Sequence, residues 1–542
     1  MSSNKKIYIV LIIISVFASI SISLFIVNKR FIRTDQLQHF YDMRKWYDSK
    51  TFPVTSARFT NSEIIKDEFT TGRVPGGAYY VFYILFYKLS NENFIVSKVI
   101  NLIFNLIIAY IFLFWIFKKF GYFFTSIISM LLLFNPYFIM ASTDFWNPNL
   151  SLIFSLLLFI FLFEYIDDCD EDDKRKNIVR ISAVLIFPIL AIIAQGHFFS
   201  FFSIIPTIIV YLIIKYKRTL KYIVYWILGV FISFLEYLPY LISEFNNGFN
   251  NTKLIFETKS GFSSFPFPQI HAIFLLPTNE MSIYYSSNLN GILHFWKSNP
   301  FAIIGIIFLF ISVLFSIYCF IRSGYFLFFN RKKTYIDNNS INKRKIILNM
   351  LFIMYLYIPI TIILNIVFTS KVGAFHYFFP MFSISFLPIL LFFYDKENDI
   401  INNRKIFIIV LSLFFINIFS MSLQFKFYTD MYEEPLSYNN IKNIIEIVYK
   451  DSDGSKINFR ALNGERSGTY IDASKIYFPD MSWDYDENST NIYLLLDKIK
   501  ILYNSDDYIS NYMKKFNNTN FNLIFTNSGI NIYKYYGNLE DL

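Results

Sequence analysis

The chain predicts an α-helical polytopic membrane protein of about eleven spans that carries a small α/β domain at its C-terminal end. Three observations predict it. Eleven apolar stretches recur along the sequence, Lys/Arg clusters fill every second gap between them, and the apolar runs stop after Leu423. Beyond that point the composition turns acidic, with 12 Lys+Arg against 17 Asp+Glu. Over the whole chain 55% of residues are hydrophobic, 21% aromatic and only 16% charged, where a soluble globular protein carries about 25% charge. The net charge of +9 sits in short loops between apolar runs. It fits cytoplasmic loops and not a nucleic-acid footprint.

The first stretch, Ile7–Val27, follows Lys5 and Lys6 and is long enough to cross ~30 Å of hydrocarbon at ~1.5 Å per residue. Its length, and the lack of a small-residue cleavage site, mark an anchor and not a removed signal. Further spans are expected at about 94–117, 122–140, 150–166, 178–195, 198–214, 222–239, 299–321, 346–369, 374–394 and 405–423. Basic clusters at Lys118–Lys119, Lys174–Lys176, Lys215–Lys221, Arg322–Lys345 and Lys396–Arg404 alternate with gaps nearly free of them, namely Ala141–Asn149, Gln195–His197, Tyr240–Lys297 and Ser370–Gly373. The positive-inside bias then puts the N-terminus in the cytoplasm and the C-terminal domain outside an inner, plasma-type membrane.

Pro75–Lys88 is apolar too, but as a helix it reaches only ~21 Å, too short to cross. It is expected to lie in the outer interface, begun by Pro75 and anchored by Tyr79, Tyr80, Tyr83 and Tyr87. Residues 1–424 thus form the membrane domain, with large outer loops at 28–93 and 240–297, and residues 425–542 form the extracytoplasmic α/β domain. In the latter, Phe521–Thr526 and Ile530–Tyr536 alternate around Asn527–Ser528–Gly529, a hairpin signal. Ile441–Tyr449 and Ile492–Tyr503 read equally as helix or buried strand. The two cysteines, Cys169 and Cys319, support neither a disulfide framework nor a Cys-based metal site.

The polar residues that carry chemistry cluster at the outer ends of the spans. Arg33-Thr34-Asp35-Gln36-Leu37-Gln38-His39 follows the first span directly. A carboxylate half-buried there gains proton affinity and serves as a base toward a hydroxyl; the competing reading is a helix cap. Arg73 precedes the interfacial helix and is placed to meet a phosphate at headgroup level, or else to snorkel as an anchor. Asp144 and Asn147 occupy the next outer gap, His197 the one after, and Lys371, His376 and Tyr377 the start of the tenth span. Ionisable groups at such positions are functional candidates, although a lone His between spans is more often packing. The five His lie on distant segments without metal spacing, so no metal is expected. There is no Gly-rich phosphate loop, so a donor activated by a cytoplasmic nucleotide is not expected, and no other cofactor is.

Together these segments resemble the GT-C superfamily of polytopic glycosyltransferases, in particular the bacterial relatives of protein O-mannosyltransferases and lipid A aminoarabinose transferases. The resemblance covers about residues 1–395. It rests on Asp35 after the first span, on Val74-Pro75-Gly76-Gly77-Ala78-Tyr79-Tyr80, on Trp146-Asn147-Pro148-Asn149, on Gln195-Gly196-His197, on Pro239-Tyr240-Leu241 with Glu244 and Asn251-Thr252, and on His376-Tyr377 with Pro380. The family's first-loop Asp-Glu pair is here Asp35-Gln36, one carboxylate short. The resemblance implies transfer of a sugar from a polyprenyl-phosphate donor to a protein, lipid or glycan acceptor on the outer face. It implies Asp35 as general base, His39, Asp144, Asn147 and His197 orienting the acceptor, and Arg73, Lys371, His376 and Tyr377 binding the donor phosphate. Two rivals explain the spans as well: a flippase for lipid-linked sugars and a cell-wall polymerase or ligase. The first is expected to show inverted repeats with broken midplane helices, and the second lacks an acidic segment after the first span.

Overall fold

The computed structural model describes residues 2–29, 34–58, 72–167, 173–257, 272–278, 302–329, 338–368, 375–394, 404–430, 438–461, 467–477, 485–486, 488–497, 520–526 and 530–536. It is a helical bundle with a small strand-containing region at the C-terminal end. Helix α1 (Ser2–Lys29) leads to α2 (Thr34–Asp48), β1 (Thr55–Arg58), β2 (Arg73–Pro75) and α3 (Ala78–Leu89). The bundle continues through α4 (Phe94–Leu133), α5 (Pro136–Thr143), α6 (Asn147–Ile166), α7 (Asp173–Gly196), α8 (Ile204–Ile214), α9 (Tyr216–Lys221), α10 (Ile223–Asn246), α11 (Asn250–Glu257) and α12 (Ala272–Leu275). It closes with α13 (Ala302–Phe328), α14 (Asn338–Phe368), α15 (Leu387–Tyr394) and α16 (Arg404–Asp430).

Among the described residues seven helices are long and apolar enough to cross a bilayer, and shorter apolar helices accompany them. Every expected span falls on helix, with three differences. The expected 94–117 and 122–140 spans form as two helices separated within α4 by a kink at Gly121, where φ is +82°, and the second passes on into α5. Glycine alone adopts that backbone without strain, so the chain folds back there, and Asn105 in the first half donates to the Ala141 carbonyl that follows the second, at 3.3 Å. A 3-10 turn at Phe198–Phe202 opens the expected 198–214 span before α8. The expected 374–394 span is broken: 3-10 turns at Phe375–Met381 and Ile384–Phe386 precede α15. Pro380 inside the first turn lacks the N–H that a regular helix needs, and the Ser383 hydroxyl donates instead to the Ser155 carbonyl, at 2.7 Å.

Helix α6 is the hub. Of its apolar window 89% is buried, against 17% for α10, so α6 is sheathed by protein while α10 presents Val224, Ile227 and Phe231 outward. The two ends of α6 differ in chemistry. At its C-terminal end Glu164 accepts from Lys119 Nζ (2.9 Å) and Trp115 Nε1 (2.7 Å) and pairs with Arg175, while Arg218 donates to the Tyr165 carbonyl. The basic loops therefore gather at one end of the bundle. The N-terminal end of α6, at Asn147, faces the segments that follow α1.

The interfacial helix departs from expectation at its start. Pro75 closes β2, which pairs antiparallel with β1, and the helix begins only at Ala78. Gly76 has φ +88°, and a Cβ at Gly77 would lie 1.8 Å from the Pro53 carbonyl oxygen. The turn therefore requires both glycines. Tyr79, Tyr80, Tyr83 and Tyr87, expected as lipid-interface anchors, are all buried, at 0–5% exposure, because α3 packs between α2, α4 and α7.

In the C-terminal region α17 (Tyr438–Ser452), β3 (Asn458–Ala461), α18 (Ser467–Tyr477), β4 (Ile492–Asp497), β5 (Phe521–Thr526) and β6 (Ile530–Tyr535) form a four-stranded sheet, order β3-β4-β6-β5, with two helices. The β5–β6 hairpin forms as expected, its turn residues lying outside the described set. Ile441–Tyr449 resolves to helix and Ile492–Asp497 to strand. Strand β4 is central, parallel to β3 and antiparallel to β6, which explains its unbroken apolar run.

Gly77→Ala should lower stability by ~1–3 kcal/mol, because backbone must move to admit the Cβ. Gly248→Asn is the control: nothing lies within 4 Å of its Cβ position, and Asn tolerates positive φ. Thermal unfolding in detergent should separate the two variants by several degrees.

Candidate active site

Helix α2 sets the site. Asp35, His39, Asp42 and Trp46 recur at spacings of four, three and four, which places them on one stripe of the helix. Leu37, Phe40 and Met43 fill the adjoining face and bury it. Asp35 stands in the first turn, where the exposed N–H groups and the helix dipole favour a carboxylate.

The first part of the stripe opens on a polar chamber. The Gln36 amide donates to Asp144 Oδ2 at 2.7 Å, which joins α2 to the α5–α6 junction. His39 is buried, its ring 5.2 Å from that of Tyr79 in an edge contact. It faces the Asn147 side chain without a well-formed hydrogen bond. Burial lowers the His39 proton affinity, while the carboxylates of Asp35, Asp42 and Asp144 pull the other way. Burial likewise pushes the Tyr79 hydroxyl well up, with Tyr83, Tyr80, Asp144 and Asp35 adding to it, so the chamber holds a neutral phenol. Asn147 donates to the Gly196 carbonyl (2.9 Å) and Gln195 Oε1 accepts from the Ala78 amide (3.0 Å), which draws α6, α7 and α3 together. Around this chamber the Gln38 amide, the Tyr79 hydroxyl, Asn149 Oδ1, Gln195 Nε2 and His197 Nδ1 are enclosed without a hydrogen-bond partner. Buried polar groups are rarely left so. A cluster of them marks a place built to receive hydroxyls or amides.

One turn further along α2, Asp42 is shared by two guanidinium groups. Arg58 Nη2 lies 2.7 Å from Oδ1, Arg73 Nη1 lies 3.0 Å from Oδ2, and the Tyr80 hydroxyl donates to Oδ2 at 3.2 Å. Burial alone would raise the Asp42 carboxyl, but Arg73 and Arg58 outweigh it and hold it below the usual carboxylate value. The backbone of Arg73 is clipped in turn by Asn251, whose amide accepts from the Arg73 N–H (2.7 Å) and donates to its carbonyl (3.0 Å). Glu244 accepts from the Asn251 and Thr252 amides (3.1 and 2.9 Å) and from the Thr252 hydroxyl (2.6 Å). The Tyr240–Glu244–Asn251–Thr252 motif is thus one rigid corner.

A third group lies beyond Asn147. The His197 ring meets those of His376 and Tyr377, each at 4.9 Å, Trp146 meets His376 at 4.7 Å, and Phe199 stacks on Tyr377 at 4.4 Å. Burial pushes His197 down to about 3, so it is neutral at physiological pH. The fourth wall comes from the C-terminal region. Tyr477 stacks on Phe40 (5.2 Å) and packs against Phe94 (4.6 Å), while Arg44 Nη1 donates to the Ile476 carbonyl at 2.7 Å. Burial raises the Tyr477 phenol, and the Asp144 carboxylate adds to it.

Of the residues expected from the sequence, Asp35, His39, Asp144 and Asn147 share the chamber, and His197, His376 and Tyr377 form the adjoining aromatic group. Arg73, expected at a phosphate, is engaged by Asp42. Lys371 lies outside the described residues. Sequence reasoning passed over Asp42, Arg58 and Tyr477, and took Tyr80 for an interface anchor. The four-three-four stripe on α2 would have flagged Asp42 and Trp46, whereas nothing local marks Arg58 or Tyr477. Among the described residues no group of three His, Cys, Asp or Glu side chains is arranged to hold one metal ion.

No protein-family model matches the chain, and no curated protein matches it. Two solved structures are similar in extent. One is ArnT from Cupriavidus metallidurans in the apo state, with 11% identity and a TM-score of 0.47, covering 96% of this chain and 97% of that one. The other is ArnT from Cupriavidus metallidurans bound to undecaprenyl phosphate, with 10% identity, a TM-score of 0.44 and the same coverage.

Removing the shared carboxylate with Asp42→Asn leaves two guanidinium groups buried beside a neutral amide, and should cost ~3–5 kcal/mol. Tyr80→Phe should cost about 1 kcal/mol. Chemical unfolding in detergent checks the order. A second test uses pH. The unfolded chain protonates His197 near its ordinary value of 6.5, but the folded chain refuses that proton until about 3, so stability falls as pH drops below 6.5. The melting temperature should therefore decline between pH 7 and 4.5, and decline less in His197→Asn.

Proposed function

We propose that the protein is a membrane glycosyltransferase that moves a sugar from a polyprenyl-phosphate donor to an acceptor hydroxyl at the outer ends of its helices. The observation that carries this reading is the convergence of Asp35, His39, Asp144 and Asn147 in one buried polar chamber, at the end of the bundle opposite the basic loops. A lipid-linked substrate is ambiphilic. Its tail stays among the lipids, its phosphate lies at the interface, and its sugar must enter a polar enclosure at that depth. The chamber's enclosed amides, phenol and imidazoles suit sugar hydroxyls.

In this reading Asp35 takes the proton from the acceptor hydroxyl, whose oxygen attacks the anomeric carbon as the bond from that carbon to the phosphate oxygen breaks. The electron pair leaves with the polyprenyl phosphate, and a single displacement inverts the anomeric configuration. His39, Asp144 and Asn147 orient the acceptor, together with His197 as a neutral hydrogen-bonding group. His376 and Tyr377, with Lys371, receive the phosphate. Arg73 fixes Asp42, and through it the pitch of α2.

The test is sugar release from a radiolabelled polyprenyl-phosphate-sugar panel in proteoliposomes. Asp35→Asn should cut turnover ~100-fold or more. His376→Gln should raise KM for the donor roughly tenfold, the value of one lost contact to phosphate. Wild-type turnover retained by Asp35→Asn sinks the base assignment. Labelled lipid that crosses the bilayer without sugar release would favour a flippase.

A further inference from the structure

His376 and Tyr377, which receive the phosphate in the proposed transfer, stand on an irregular piece of chain, the 3-10 turn Phe375–Met381. In such a turn each carbonyl takes the N–H three residues on. The Phe379 carbonyl does so, accepting from the Phe382 amide at 3.0 Å. For the Tyr377 carbonyl the residue three on is Pro380, which has no N–H to give. A carbonyl orphaned in an apolar surrounding is costly.

The missing donor comes from another helix. Tyr357 on α14 is fully buried, and its hydroxyl donates to the Tyr377 carbonyl at 2.9 Å. Its ring lies edge-on to Phe378, with centroids 5.9 Å apart. The same hydroxyl faces the Ser203 and Thr361 side chains, and Ser203 directly follows the 3-10 turn Phe198–Phe202, which starts next to His197. One phenol therefore stands between the turn that bears His376 and Tyr377 and the turn that begins at His197, whose ring meets both of theirs. The far end of the Phe375–Met381 turn is fastened separately, by Ser383 on Ser155. A buried tyrosine needs an acceptor somewhere. Here the acceptor is the one carbonyl that Pro380 deprives of its partner in the turn, and it belongs to a member of the aromatic group.

We propose that Tyr357 is a positioning residue for the donor phosphate: its hydroxyl takes the place of the amide that Pro380 lacks, and so fixes the turn from which His376 and Tyr377 meet their ligand. That role rests on the glycosyltransferase reading, whereas the substitution of hydroxyl for amide does not.

The experiment is a double-mutant cycle of Tyr357→Phe and Pro380→Ala in the full chain in nanodiscs. It reads the melting temperature and the binding of radiolabelled farnesyl phosphate, a short isoprenoid monophosphate, with empty nanodiscs as the blank. Tyr357→Phe alone should lower the melting temperature by a few degrees and weaken binding roughly tenfold. Pro380→Ala restores an N–H three residues beyond Tyr377. In that background Tyr357→Phe should barely shift the melting temperature and should weaken binding less than about twofold. Equal losses in both backgrounds, or no loss in either, overturn the proposal. A melting loss that Pro380→Ala cancels, with binding unmoved throughout, overturns the positioning role. The two readings fail separately: if the wild type binds no farnesyl phosphate, coupled melting keeps the Tyr357 hydroxyl in place of the Pro380 amide and removes the phosphate from His376 and Tyr377.

Discussion

One buried carboxylate holds one end of this bundle in register. Asp42 cannot stay ionised in an apolar surrounding without partners. It finds them in Arg58 and Arg73 on the β1–β2 hairpin and in Tyr80 on α3. That single sharing fixes the rotation of α2, and with it the direction in which Asp35 and His39 point. Because Asn251 clips the backbone of Arg73, the corner between α10 and α11 is tied to the same point. Asp42 thus joins α2, the hairpin and α3, and the distant α10–α11 corner is tied to them through the main chain of Arg73.

Much of the bundle is legible in the sequence, because a membrane span is written in length and apolarity alone. The deviations are equally physical. Hydropathy cannot see that the expected 198–214 span opens with a 3-10 turn before α8. Nor does it distinguish the Pro380 turns from helix, since the same apolar residues fill both. The start of α3 was misplaced because Pro at a helix N-terminus is a common signal, while here the close approach of Gly77 to Pro53 decides the turn. Its tyrosines look like lipid anchors from composition, and only the packing of α3 between three other helices shows them to be core.

The site was legible to the extent that its members stand at outer helix ends. Asp35, His39, Asp144 and Asn147 could be picked out for that reason, and the fold brings them together. The Arg58–Asp42–Arg73 cluster was not legible, since ion pairing across sequence separations of 16 and 31 residues leaves no periodic trace. Arg73 illustrates the difficulty. Its position next to an interfacial helix suggested a phosphate, and its partner is a carboxylate on a helix whose own charge pattern was read only as far as His39.

The contact between Tyr477 and Phe40 has a consequence for biosynthesis. The Arg44–Ile476 bond that accompanies it joins residues 432 positions apart, so a ribosome must finish nearly the whole chain, and the last module must fold, before the chamber has its final wall. During that interval the membrane helices are in place with an incomplete enclosure.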